Sequence, residues 1–228
     1  MAQKSATPRS RSFEATDSPE FDRGVSFFDA IYGFAVTLLI ANVDAPPAEA
    51  WRSLSALAES DVAAQLVGFA LSFTVIAVFW RLNVRLVRRL VGLDGPTTAL
   101  NLVPAALVIL IAFTTQGISD PGSAYLALPT AFYALNIALV ALAQTVMFQV
   151  ARARGLEKVP SSPRENVFDL IDSVMVPLVF LLSIPIALYV DADAAKWSWT
   201  ILLVLGPLSG YWTSRAISRR RRGSGEGG

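Results

Sequence analysis

The sequence predicts an all-α membrane protein with six transmembrane helices per subunit and both termini in the cytosol. Three observations carry that prediction. Of the 228 residues, 54% are hydrophobic and only 16% charged, whereas a soluble domain carries about a quarter charged residues. The missing charge leaves long uninterrupted apolar runs. Between those runs the lysines and arginines gather into clusters that alternate with acidic loops.

A helix needs about 20 mostly apolar residues to cross the hydrocarbon core. Six segments meet that length, at 25–43, 62–80, 97–118, 123–150, 172–190 and 197–214. Residues 1–22, polar and mixed in charge, read as a disordered cytosolic arm and lack the apolar core of a signal peptide. The membrane domain runs over 23–216, and 217–228 reads as a basic, flexible cytosolic tail. The third and fourth spans are separated by the tight turn "SDPG", 119–122. Prolines 104, 129, 177, 185 and 207 fall inside spans, where neighbouring helices make them tolerable. No segment alternates with the dyad period of a membrane barrel.

With the N-terminus inside, 17 of the 19 basic residues fall on the cytosolic side, leaving Arg52 and Lys196 outside. The external loops carry Asp44, Glu49, Glu59, Asp61, Asp120, Asp191 and Asp193. The positive-inside rule gives the orientation and a cell-membrane location. The run of four arginines at 219–222 reads as a topology determinant on anionic headgroups. With a net charge of +1, no nucleic-acid partner is expected. Trp80, Trp197, Trp199, Trp212, Tyr189 and Tyr211 lie near span ends, as interfacial anchors do.

Chemistry is bounded by what is missing. The chain has no histidine and no cysteine, so imidazole catalysis, thiolate metal sites and disulfides are excluded. No Walker loop, nucleophile elbow or HExxH motif is present, so no enzyme, metal site or cofactor is expected. The TVGYG filter of ordinary potassium channels is missing too. Asp169 and Asp172, at i and i+3, read as partners of Arg81, Arg85 or Arg164. Gly206 and Gly210 have the spacing of a close helix crossing. Asn136, Gln144 and Gln149 read as interhelical hydrogen-bonding groups.

The first span is the informative one. It carries Asp29 at its start, then no charge from Ala30 to Val43. Phe34, Thr37 and Ala41 share one face at helical spacing, with Ala30 and Gly33 one turn below allowing close approach to a neighbour. Around an axis, several copies of that face form a narrow, mostly apolar constriction that favours the ion cheapest to dehydrate. In an ordinary packed helix, Thr37 instead bonds back to the Gly33 carbonyl and Phe34 packs.

The string Arg23-x-x-x-Phe27-Phe28-Asp29-Ala30-Ile31, followed by Ala35-x-Thr37-Leu38-Leu39, resembles the first-helix signature of the transmembrane protein 175 family of lysosomal and bacterial potassium channels, R-x-x-x-F-S-D-G and then A-x-T-L-L. Residues 70–83, with Trp80 and Asn83, resemble the end of the family's second helix. Residues 100–115, with Asn101 early, resemble its third. The resemblance implies a homotetramer in the bilayer, permeable to potassium and other monovalent cations. Its pore constriction comes from first-helix side chains, here Phe34, Thr37 and Ala41. It further implies a structural polar network of Arg23, Phe27, Asp29, Trp80, Asn83 and Asn101. The chain departs from the family where Phe28 replaces serine, Asn83 histidine, Phe34 an isoleucine or leucine, and Ala41 a second large aliphatic. Phenylalanine at 34 leaves open a second reading, a non-conducting scaffold or partner subunit that keeps the fold. A small-solute transporter needs a midplane polar site, for which Thr37 and Gln144 are the main candidates.

Overall fold

The computed structural model describes residues 13–16 and 18–201. The expected span at 197–214 therefore lies largely outside the described residues. So do Gly206, Gly210, Tyr211, Trp212 and the arginines at 219–222. Among the described residues, five helices are long and apolar enough to cross a membrane: α1 Pro19–Ile40, α3 Asp61–Arg88, α4 Gly95–Ser119, α5 Ala127–Ala153 and α6 Pro163–Tyr189. Two short helices, α2 Leu54–Ala58 and α7 Ala192–Ser198, sit in connections. Strands β1 Phe13–Ala15 and β2 Gly92–Asp94 pair antiparallel, with Phe13 opposite Asp94.

Helix ends depart from the expected spans for local reasons. Ser18 caps α1 by accepting from the Phe21 N–H at 3.1 Å, and Pro19 pre-sets the first turn. Helix α1 thus begins at Pro19, four residues before the Arg23 at which the membrane domain was expected to start. The free edge of the α3–α4 connection recruits residues 13–15 as a strand partner. The 28 residues of α3 span about 42 Å, longer than the roughly 30 Å hydrocarbon core. The excess of about 12 Å matches the length of its arginine-bearing end, Arg81 to Arg88. Helix α6 starts at Pro163, not near 172, because Ser162 and Glu165 form a reciprocal capping box. The α4–α5 connection runs over 120–126, longer than a four-residue turn, and Asp120 Oδ1 accepts from the Gly122 N–H within it.

Helix α5 is the enclosed centre of the subunit, while α1 and α6 lie at its periphery. Tyr32 and Leu39 of α1, Ile76 and Phe79 of α3, Val108 and Ile111 of α4, and Tyr133 and Ile137 of α5 form one core. Trp199 belongs to that core: it stacks on Tyr133, ring centroids 5.2 Å apart, and donates to Ser183 Oγ at 2.8 Å. It is not the interfacial anchor that its position near a span end suggested. Trp197 and Tyr189 are exposed. A second core, built on Phe21, Val87, Leu90, Leu93, Phe148 and Leu156, closes the end where the basic connections meet.

Candidate functional site

Helix α1 has two faces distinguished by burial. Phe28, Tyr32, Ala35 and Leu39 recur at helical spacing and are buried against α3 and α4. The opposite side carries Ala30, Gly33, Phe34, Thr37 and Ala41, all exposed in the subunit. Phe34, 58% exposed, projects from this face instead of packing. Thr37 Oγ1 donates to the Phe34 carbonyl at 2.7 Å, one residue short of the Gly33 carbonyl expected for back-bonding. The hydroxyl proton is thereby turned into the helix, and the oxygen keeps its lone pairs. A face of this kind has one class of polar atom to offer a solute, an acceptor, which suits a cation. It carries no charge.

Both ends of α1 are tied to the rest of the subunit. At the acidic end, the Asp44 N–H donates to Gln65 Oε1 and Gln65 Nε2 donates to Asp44 Oδ2, each at 2.8 Å. Asn42 Nδ2 donates to the Ala112 carbonyl at 2.6 Å. At the basic end, Trp80 Nε1 donates to Asp29 Oδ1 at 2.8 Å. One turn beyond, Asn83 Nδ2 donates to Asn101 Oδ1 at 2.6 Å in a fully enclosed site. The residues of the expected network thus form two separate pairs, Asp29 with Trp80 and Asn83 with Asn101. Phe27 meets Phe28 edge-on at 5.8 Å. Arg23 is exposed and makes no ion pair among the described residues.

Gln144 bonds between helices as the sequence predicts, whereas a second polar grouping, at Ser72, was not singled out there. Gln144 Nε2 donates to Tyr32 Oη at 2.9 Å and to the Phe79 carbonyl at 3.0 Å, joining α5 to α1 and α3. Ser72, Thr115 and Tyr133 share hydrogen bonds across α3, α4 and α5. Gln149 reaches Asn166 at 3.0 Å. Asn136, expected to bond between helices, is buried with neither amide atom partnered among the described residues.

The basic end holds an ionic knot. Glu157, with only 6% of its side chain exposed, meets Arg89 Nη2 at 3.0 Å and Arg152 Nε at 3.2 Å. Arg89 also pairs with Asp169 at 2.9 Å and lies over the Phe148 ring. Asp169 is therefore held by Arg89, not by Arg81, Arg85 or Arg164. The extended α3 delivers Arg89 to the α5–α6 connection, which the shorter expected span could not do. Asp172 has no ion pair among the described residues. Arg154 pairs with Asp94, which also caps α4. Burial raises the Glu157 carboxyl, but bonds from Ser161 and the charges of Arg152 and Arg89 outweigh it and hold its pKa below the usual range. For Asp94, burial is likewise outweighed, by the bonds from Thr97 and by Arg154.

Among the described residues no cluster of acids could hold a metal ion.

Residues 23–112 match the family model described as the endosomal/lysosomal potassium channel TMEM175. The fold is similar to the crystal structure of a lysosomal potassium-selective channel TMEM175 homolog from Chamaesiphon minutus, with TM-score 0.65 and 17% identity, over 87% of this chain and 98% of that one. It is also similar to a variant of the potassium channel MtTMEM175 crystallised with a nanobody–MBP fusion, with TM-score 0.53 and 17% identity, over 94% and 99% of the two chains. No curated protein matches the sequence. Five apolar helices in one chain make this a multi-pass membrane protein. Residues 23–112 are thus similar to the TMEM175 potassium channel family, and the described chain shares the fold of two solved TMEM175 channels.

Proposed function

We propose that the chain is a potassium-permeable cation channel, a homotetramer in which α1 of each subunit faces a central pore. The observation that carries the reading is the exposed, charge-free face of α1, with Phe34, Thr37 and Ala41 in register and the Thr37 proton turned away from it. Rings of these side chains form a short apolar constriction. An ion entering it sheds water that only the threonine oxygens replace, and potassium gives up its hydration at less cost than sodium. The solved channels that share this fold are potassium channels by their own descriptions, which supports the permeant ion.

In this reading Asp29–Trp80 ties the start of α1 to α3 and Asn83–Asn101 ties α3 to α4 beside it, with Arg23 and Phe27 alongside them. A carboxylate at the membrane edge needs such a donor. The clustering of basic connections at the end where α1 begins supports a cytosolic N-terminus in the cell membrane. The bulk and exposure of Phe34 favour one other reading, in which four rings close the axis and the assembly is a non-conducting scaffold.

Potassium and sodium flux through purified protein in liposomes, beside Phe34→Ala, separates the two. For the channel, the wild type conducts and the variant conducts more with weaker preference for potassium. An inactive wild type with a conducting variant marks a plugged pore. Absence of flux in both refutes the channel.

A further inference from the structure

On the outer side of the ionic knot lies a cavity of about 440 Å³ that the pore reading does not use. Three parts of the chain wall it: the end of α3 with Arg88 and Arg89, the α5–α6 connection with Lys158 and Ser161, and the first turn of α6 with Glu165. Its size lies within the roughly 300–1,000 Å³ of small-ligand sites.

The charges around it are unequal in availability. The two carboxylates are committed: Glu157 to Arg89, Arg152 and Ser161, and Glu165 to the Ser162 N–H at 2.8 Å. Arg89 is fixed by Glu157, Asp169, Ser161 and the Phe148 ring. Arg88, from the end of α3, and Lys158, from the α5–α6 connection, make no ion pair among the described residues. The cavity therefore presents two available cations over a rigid floor. Beside it, α6 exposes Val167, Phe168 and Ile171 on its first turns, and the connection exposes Val159. Two cations in a recess, next to an apolar helix face entering the membrane, match an amphiphile with an anionic head and apolar tails.

We propose that Arg88 and Lys158 bind the phosphate of an anionic phospholipid, whose acyl chains run along the exposed start of α6. The bound headgroup bridges α3 to the α5–α6 connection, which already exchange the Lys158 N–H to Arg89 carbonyl bond at 2.8 Å. The site is independent of the pore.

The full-length protein in neutral detergent is titrated with phosphatidylglycerol, phosphatidylcholine or inorganic phosphate, and retained ligand is counted by native mass spectrometry. Phosphatidylglycerol is expected to be held at least tenfold more tightly than phosphatidylcholine. The double variant Arg88→Gln, Lys158→Gln should lose that preference. Arg52→Gln with Arg81→Gln removes the same charge away from the cavity and should keep it. Equal loss in both doubles means diffuse attraction and overturns the site, as does no headgroup preference in the wild type. Inorganic phosphate bound through Arg88 and Lys158, without retention of phosphatidylglycerol, overturns the lipid as ligand.

Discussion

Replacing Glu157 by glutamine removes one charge from the ionic knot while keeping the side chain's shape. The carboxylate is nearly enclosed and serves two guanidinium groups, so its loss is felt unequally by them. The Arg152 side chain is 13% exposed and meets Glu157 at 3.2 Å, and its Nη2 already lacks a partner. Breaking a buried pair from one side costs about 3–5 kcal/mol. Arg89, with 35% of its side chain exposed, keeps Asp169, so its share falls to under about 1 kcal/mol after screening. Glutamine still accepts from Ser161, and Asn166 still bonds Arg152, which lowers the Arg152 term. The net loss is about 2–3 kcal/mol, or roughly 5–10 °C in Tm at about 2–4 °C per kcal/mol for a chain of this size. Thermal unfolding in detergent, followed by circular dichroism, reads it directly. A drop below 2 °C, or losses that simply add when Arg152→Gln is combined, would refute the assignment of Glu157 as the centre of the knot.

Acidity probes the same group. Because the folded Glu157 and Asp94 pKa values are depressed, their stabilisation is complete above the ordinary carboxylate range. It is lost as pH falls through that range towards the folded values. The wild-type Tm should fall across that window, and Glu157→Gln should show a shallower fall. Asn101→Ala leaves the Asn83 amide without its acceptor in an enclosed site and should cost about 1–2 kcal/mol. The paired change Asn83→Leu, Asn101→Leu should cost less than the two single leucine changes summed, as a double-mutant cycle of Tm would show. Gly68→Ala would set a methyl 2.5 Å from Ser119 Cβ, which α3 and α4 can relieve only by separating, at a cost of roughly 1–3 kcal/mol. Gly33→Ala meets nothing within 4 Å and should leave Tm unchanged or higher. A fall in flux without a fall in Tm would show that this face of α1 meets other subunits or the permeation path.

Much of the architecture could be read from hydrophobic runs, because a span is a local property. Five long helices appear where five of those runs lie. Their ends were less legible. The eight residues of α3 beyond Trp80 mix arginine with leucine and valine, so hydropathy stops while the helix continues. The start of α6 was written in Ser162-Pro163-Arg164-Glu165 as a capping box, a signal separate from apolarity. Long-range pairings were not legible at all. That Phe13–Ala15 joins Gly92–Asp94, or that Asp169 meets Arg89, depends on how the connections fold together at one end. The α1 face was selected by spacing and by resemblance together. The structure adds the direction of the Thr37 hydroxyl, which depends on local backbone geometry.

The chain has no cysteine, so any single introduced thiol is unique, and this permits the most direct test of the pore. Thr37→Cys and Val78→Cys, both exposed in the subunit, would be reconstituted and treated with a charged methanethiosulfonate, with labelling verified by mass. The account predicts that labelling at 37 abolishes potassium flux and that labelling at 78, exposed on α3 and outside the α1 face, leaves it intact. Undiminished flux through fully labelled Thr37→Cys would contradict it.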